Sequence, residues 1–368
     1  MEENRKIRVA ITHGDTNGIG YELIFKTFAA PEMLELCTPI IYGSPKVAAY
    51  HRKALDIQAN FSIINRAEDA KDGRVNLLAT FDEEIKVELG QPSEEAGMAA
   101  LKALDRAIVD YRDGQFDVLV TAPIHTANIK SEGITFTGQT SYIEECFAEN
   151  REAMTILLND TLRVGLVTDN VAVKDIVPKI TKERLADRIS TFAQTLKRDF
   201  RISNPRIAVL SLNPTIGTEE KEIIIPTIEE SIDKHINAFG PYTSDDFFAR
   251  RLYGHFDGIL AMYHDQGIAP FMAVTPTDGI EMVSGLPIVC TSPIQGASYD
   301  IVGKNVADEN PLRQAIYLAM DVLRNRDTYD EPLANPLPKL YHEKKDESEK
   351  VRFSIPKKHE NVNKEKKQ

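Results

Sequence analysis

The run Ala261-Met262-Tyr263-His264-Asp265-Gln266-Gly267 concentrates chemistry-bearing side chains directly behind an apolar segment. An imidazole, a carboxylate and an amide at a strand end can move a proton, hold a metal or grip a polar substrate. A buried histidine satisfied by its neighbouring carboxylate would use the same residues. A second candidate is the glycine cluster Gly14-Asp15-Thr16-Asn17-Gly18-Ile19-Gly20. Its spacing is not the Gly-x-Gly-x-x-Gly of a dinucleotide-binding turn, and a tight strand-to-helix turn also explains it. Four short polar segments follow strand-like or turn-like stretches: Thr137-Gly138-Gln139-Thr140, Leu212-Asn213-Pro214, Gly285-Leu286-Pro287 and Thr291-Ser292-Pro293.

Apolar runs that read as buried strands cover residues 7–11, 39–42, 117–121, 155–158, 164–168, 207–212, 258–262 and 288–291. Between them lie helical patterns. One starts near Tyr21, one is capped by Ser44 and runs to Leu55, and one covers residues 95–112. Thr181 caps a helix with Leu185, Ile189, Phe192 and Leu196 on one face. Asn310 caps the last, residues 311–324, with Pro311 in its first turn and Leu312, Ile316, Ala319 and Leu323 on one face. Such alternation predicts an α/β fold, mainly parallel sheets with flanking helices, and sites at the carboxyl ends of strands.

The 368 residues predict two domains. A hydrophobic content of 42% predicts a folded globular chain, and no apolar run reaches the length of a membrane span. The N-terminus is charged and does not read as a signal peptide, and Cys37, Cys146 and Cys290 show no disulfide or metal spacing. Both point to a reducing cytoplasm. The net charge of −12 argues against a nucleic-acid partner. From about residue 335 the composition turns to Lys, Glu, Asp and Asn, which predicts a disordered tail.

Taken in order with Ile11-Thr12-x-Gly14 and Thr121-Ala122-Pro123, these segments resemble the 4-hydroxythreonine-4-phosphate dehydrogenase family of vitamin B6 biosynthesis. The resemblance spans roughly residues 7–326, and the stretch from Tyr263 to Gly267 is its most specific part. It implies an isocitrate/isopropylmalate dehydrogenase-like fold of two α/β domains with a cleft between them. The first would take residues 1–130 plus 295–330, and the second residues 131–294 with the interface of a homodimer. It further implies NAD-dependent oxidation and decarboxylation of a phosphorylated hydroxy amino acid. A divalent metal on three histidines would stabilise the developing alkoxide, and NAD would accept the hydride.

Carried over residue by residue, the resemblance leaves His264 as the one histidine ligand, with Asn170 and Thr215 where the other two should be. Amide and hydroxyl oxygens are poor ligands for the metals that imidazole suits, so metal binding is expected to be weak or lost. Asp245 matches an active-site carboxylate, and Asp265 stands beside His264. On the substrate side Thr140 is retained, Gln139 replaces a histidine, Met272 a lysine, Glu281 an asparagine and Cys290 an arginine. These changes predict that a phosphate dianion is not bound in the usual way. On the cofactor side Gly296, Asp300 and Gly303 match the adenine-contacting loop, so NAD binding is expected to survive. Three readings follow: the family reaction, a dehydrogenase moved to an unphosphorylated and possibly cationic small molecule, or a non-catalytic paralogue that keeps the fold.

Overall fold

The computed structural model describes residues 5–81, 84–129, 138–147 and 153–336. Thr137 and residues 337–368 of the charged tail therefore lie outside the described residues. By contacts the chain forms two units, Met1–Asp330 and Glu331–Gln368.

The chain opens with β1 (Ile7–Thr12), α1 (Gly20–Ala29), α2 (Glu32–Leu36), β2 (Cys37–Gly43) and α3 (Pro45–Leu55). It continues with β3 (Ser62–Ile64), β4 (Asn76–Ala79), α4 (Glu94–Arg112), β5 (Val118–Thr121) and α5 (Gln139–Phe147). Next come β6 (Met154–Leu158), β7 (Arg163–Leu166), α6 (Ile176–Lys179), α7 (Lys182–Arg198), β8 (Arg206–Leu210) and α8 (Ile225–Asp233). The last elements are β9 (Asn237–Tyr242), α9 (Ser244–Ala249), β10 (Gly258–Ala261), α10 (His264–Val274), β11 (Ile280–Ser284), β12 (Cys290–Pro293) and α11 (Asn310–Ala334).

All twelve strands join one sheet in the order β3-β4-β2-β1-β5-β12-β11-β6-β7-β10-β8-β9. Pairing is parallel from β3 to β12 and again from β7 to β9, and antiparallel across β12-β11-β6-β7. Three successive reversals leave the first parallel group running opposite to the second. Their carboxyl ends therefore lie at opposite edges of the sheet. The inner parallel strands are buried on both faces, as in β2 and β5 throughout, which explains their continuous apolar character.

The Ser44 and Thr181 hydroxyls accept from the amides of Val47 and Arg184, the capping geometry expected of them. Some elements depart from the sequence reading. The His264-Asp265-Gln266 run follows β10 as read, and it also forms the first turn of α10. The strand read at 288–291 begins at Cys290, because only from there does the chain pair with both β11 and β5. Helix α11 runs well beyond Arg324. Arg326 there donates to Asp199 through two nitrogens and to the carbonyls of Leu286 and Pro287. Arg198 pairs with Asp330. Those long-range ion pairs hold turns that carry no apolar period.

Candidate functional site

The glycine cluster is a packed turn that abuts the candidate cofactor loop. Gly14 has φ +74°, and a Cβ on Gly18 would lie 2.9 Å from the Ala297 carbonyl oxygen. The Ile19 amide donates to that same oxygen at 3.2 Å. Asp15 fastens the turn: one carboxylate oxygen accepts from the Asn17 amide at 2.9 Å. The other accepts from Asn128 Nδ2 at 3.0 Å and from the Tyr299 hydroxyl at 2.8 Å. Burial and the Asp15 hydrogen bond push the Tyr299 phenol upward, so it stays a donor. Sequence reasoning treated this turn as a shape and missed its role as an anchor. The signal was a short polar Asp-Thr-Asn run inside a fully buried segment. Beyond it, Gly296 and Asp300 are exposed, and Gly303 takes φ +76°. A Cβ on Gly296 would meet nothing within 4 Å, so its backbone is open to a ligand. His125 is exposed, with its ring 5.6 Å from that of Tyr299.

The opposite carboxyl edge gathers the positions carried over as metal ligands. The amides of Val167 and Thr168, just past β7, donate to the carbonyls of Ala261 and Met262 at the end of β10. Asn170 and His264 thus leave neighbouring strands. Gln266 ties in the third: its Nε2 donates to the Ser211 carbonyl at 2.6 Å and to Ser244 Oγ at 2.9 Å, and its Oε1 accepts from the Met262 amide. That amide side chain joins the loop carrying Thr215 and the helix start carrying Asp245 to the turn carrying His264. The loop is also shaped by Glu220, whose carboxylate accepts from the amides of Asn213 and Gly217.

The donors so gathered are weak. Thr215 and Asp245 are exposed, and the Thr243 hydroxyl and the Asp246 amide hold the Asp245 carboxyl below its ordinary range. His264 is half-exposed, with Nδ1 3.7 Å from the exposed Asp265 carboxylate. Among the described residues no group of three or more His, Cys, Asp or Glu side chains is placed to hold a metal ion. One imidazole beside an amide and a hydroxyl does not fit a tight divalent site.

The substrate-side residues divide. Thr140, in the first turn of α5, donates to Glu281 Oε1 at 3.0 Å. Thr155 lies 3.4 Å from Thr140 and donates to Asp169 Oδ2 at 2.7 Å. Burial first, and then Asp169, push the Glu281 carboxyl up from 4.5 to about 7. Burial and Glu281 in turn push the Cys290 thiol up, so it stays protonated. Asn170 joins this group: at φ +47° its Nδ2 lies where a Cβ on Gly138, beside Gln139, would come within 3.0 Å. Met272 does not join it; it packs on the apolar cluster of Leu157, Leu166 and Phe271. A cavity of about 210 Å3 opens beside Thr140, Thr155, Asp169 and Asn170, and Arg184 and Arg188 of α7 border it as well. Sequence reasoning did not single out either arginine.

Residues 35–319 match the family described as pyridoxal phosphate biosynthetic protein PdxA. A 4-hydroxythreonine-4-phosphate dehydrogenase of Bacteroides thetaiotaomicron is 54% identical over 96% of this chain and 98% of its own length. One of the same name from Sulfurihydrogenibium is 33% identical over 87% of this chain and 99% of its own. Among solved structures, a 4-hydroxythreonine-4-phosphate dehydrogenase from Burkholderia phymatum superposes with a TM-score of 0.68 at 28% identity. That likeness covers 87% of this chain and 98% of the other.

Proposed function

The chain belongs to the pyridoxal phosphate biosynthetic protein PdxA family, and from that premise we propose an NAD-dependent oxidoreductase of a small hydroxy amino acid that turns over 4-hydroxythreonine 4-phosphate poorly. Relatives named dehydrogenases make hydride transfer the class of chemistry. The observation that carries the reading is Glu281, a partly buried carboxyl facing Asp169 where the resemblance implies a neutral asparagine. A phosphate dianion placed there meets two carboxyl groups and neither the lysine nor the arginine whose positions Met272 and Cys290 occupy.

In this reading the open backbone at Gly296 and the exposed carboxylate of Asp300 hold the nucleotide, and Gly303 closes the loop around it. NAD, when bound, supplies the hydride acceptor. His264 takes the proton of the substrate hydroxyl, with the Asp265 carboxylate 3.7 Å from its Nδ1. Asp245 adds negative charge to the same edge. No step runs through a divalent metal, because Asn170, Thr215 and His264 do not fit one.

A homodimer with a shared site, a division into lobes of residues 1–130 plus 295–330 and 131–294, and a cytoplasmic location belong to the same reading. The shared site is supported by strand direction, since the cofactor loop and the His264 turn leave opposite edges of one sheet. No helix among the described residues is long and apolar enough to cross a membrane.

The test is NADH formation by purified protein with NAD, a panel of divalent metals, and either 4-hydroxythreonine or its 4-phosphate. A variant carrying Asn170→His, Thr215→His, Met272→Lys, Glu281→Asn and Cys290→Arg runs beside it. Turnover of the unphosphorylated substrate, with phosphate-ester activity gained only in the variant, is the expected result. Wild-type turnover of the phosphate ester at roughly 1 per second or more would overturn the reading. Absence of turnover alongside NAD binding would favour a second reading, a non-catalytic paralogue, which the weak donor set around His264 also supports.

A further inference from the structure

Three segments far apart in the chain meet at the edge that carries His264: the end of β8, the start of α9 and the end of β10. Gln266 is the third residue of α10 and 9% exposed. A glutamine at that place in a helix ordinarily reaches back to one orphan backbone amide, as its Oε1 does to Met262 at 2.7 Å. A helix cap needs nothing more. Here both Nε2 hydrogens are engaged as well, on the Ser211 carbonyl 55 positions away and on Ser244 Oγ 22 positions away. Those partners fix the amide's polarity, because a carbonyl can meet only its NH2 end and a backbone N–H only its oxygen. The link runs on at both ends. The Ser211 hydroxyl donates to the Asn213 carbonyl at 2.6 Å, and the buried Glu220 carboxylate accepts from the amides of Asn213 and Gly217, on either side of Thr215. The Thr168 hydroxyl donates to the Met262 carbonyl at 2.8 Å, which brings in the turn leading to Asn170.

We propose that Gln266 is the positioning residue of this edge: its buried amide, and not an ion shared by Asn170, Thr215 and His264, assembles the three segments. The inference rests on the reading of His264 as the group that takes the substrate's proton, and it says what holds that imidazole in register with Thr215 and Asp245. The donor set around His264 does not fit a divalent ion, so the strand ends need another common partner. Gln266 is built for that role, with one acceptor and two donors spent on three segments. Glutamate at this place keeps the shape and can still accept from the Met262 amide and from Ser244. It then turns a carboxylate oxygen toward the Ser211 carbonyl, and an acceptor facing an acceptor breaks the link to β8 alone. The helix cap and the assembly of the edge are therefore separable functions of one side chain.

Hydrogen exchange of the full chain, read by mass spectrometry with EDTA, Zn2+ or Mn2+ present, tests the proposal alongside turnover of 4-hydroxythreonine. In Gln266→Glu, residues 211–217 should exchange about tenfold faster or more, while residues 264–270 stay within about twofold of wild type. Ser244→Ala, a milder change that removes one bond, should loosen residues 243–247 only. Wild-type exchange should be the same with EDTA and with either metal. Adding Asn170→His and Thr215→His to Gln266→Glu supplies three imidazoles, and Zn2+ should then restore slow exchange at 211–217. In turnover, Gln266→Glu should lower kcat about tenfold or more with KM and NAD affinity within about twofold, since the loss is of alignment and not of binding. Unchanged exchange at 211–217 in Gln266→Glu, wild-type protection that rises with metal, or an active Gln266→Glu enzyme with unaltered kcat would each overturn the proposal. Exchange that responds as described in a protein without turnover would sink the oxidoreductase reading and leave Gln266 as the assembler of the edge.

Discussion

The turn after β1 and strand β11 treat a carboxyl group in opposite ways. At the edge of the first parallel group, Asp15 is 1% exposed and meets three donors, the Asn17 amide, Asn128 and Tyr299. At the heart of the substrate side, Glu281 meets one hydroxyl and is opposed by Asp169. A carboxylate with all its acceptors matched is a structural rivet. One held half-neutral next to a second carboxyl is poised to respond to whatever enters. The turn after β12 offers open backbone at Gly296, whereas the other region presents the side chains of Asn170, Thr215 and Glu281.

The largest test of this contrast is Asp15→Ala, which strands the buried Asn128 and Tyr299 donors. It should cost about 3 kcal/mol in urea unfolding, and a loss below ~1 kcal/mol would erase the distinction. Next is Glu281→Gln. A carboxyl whose folded-state pKa is raised from 4.5 to about 7 binds its proton more tightly in the folded chain. Its contribution is intact below about 4.5, fades as pH rises toward 7, and is a fixed penalty above that. The variant should therefore match wild type near pH 4 and be more stable by roughly 2 kcal/mol at pH 8. Parallel stability curves across that range would show that Glu281 carries no such load. Gly18→Ala drives a Cβ against the Ala297 carbonyl and should cost about 1–2 kcal/mol. Smallest is Gly296→Ala, whose Cβ meets nothing; stability should move by less than ~0.5 kcal/mol. Its effect should appear instead as weaker NAD binding, read by fluorescence titration.

Strands with a continuous apolar run were legible because burial on both faces leaves no alternative composition. Caps such as Ser44 and Thr181 were legible because one side chain meets a backbone amide three residues on. Strand β11 escaped reading: its sequence, Ile-Glu-Met-Val-Ser, carries Glu281 in a position that only β6 and Thr140 justify. Strand β9 hid behind its glycine and proline. On the candidate site, the identity of each substituted residue was plain in the sequence. That Thr140 donates to Glu281 with Asp169 close enough to repel it, while Met272 packs elsewhere, was not, because Thr140 and Glu281 stand 141 positions apart.

Strand β12 carries a consequence for how the chain is made. It pairs with β5, yet about 170 residues of chain separate the two, and β11 lies on its other side. At a synthesis rate of about 5–20 residues per second, the nascent chain presents β5 as an open edge for roughly 10–30 s before its neighbour emerges. An exposed apolar edge of that kind invites pairing with other chains. Chains released before residue 290 should therefore be captured by chaperones or aggregate.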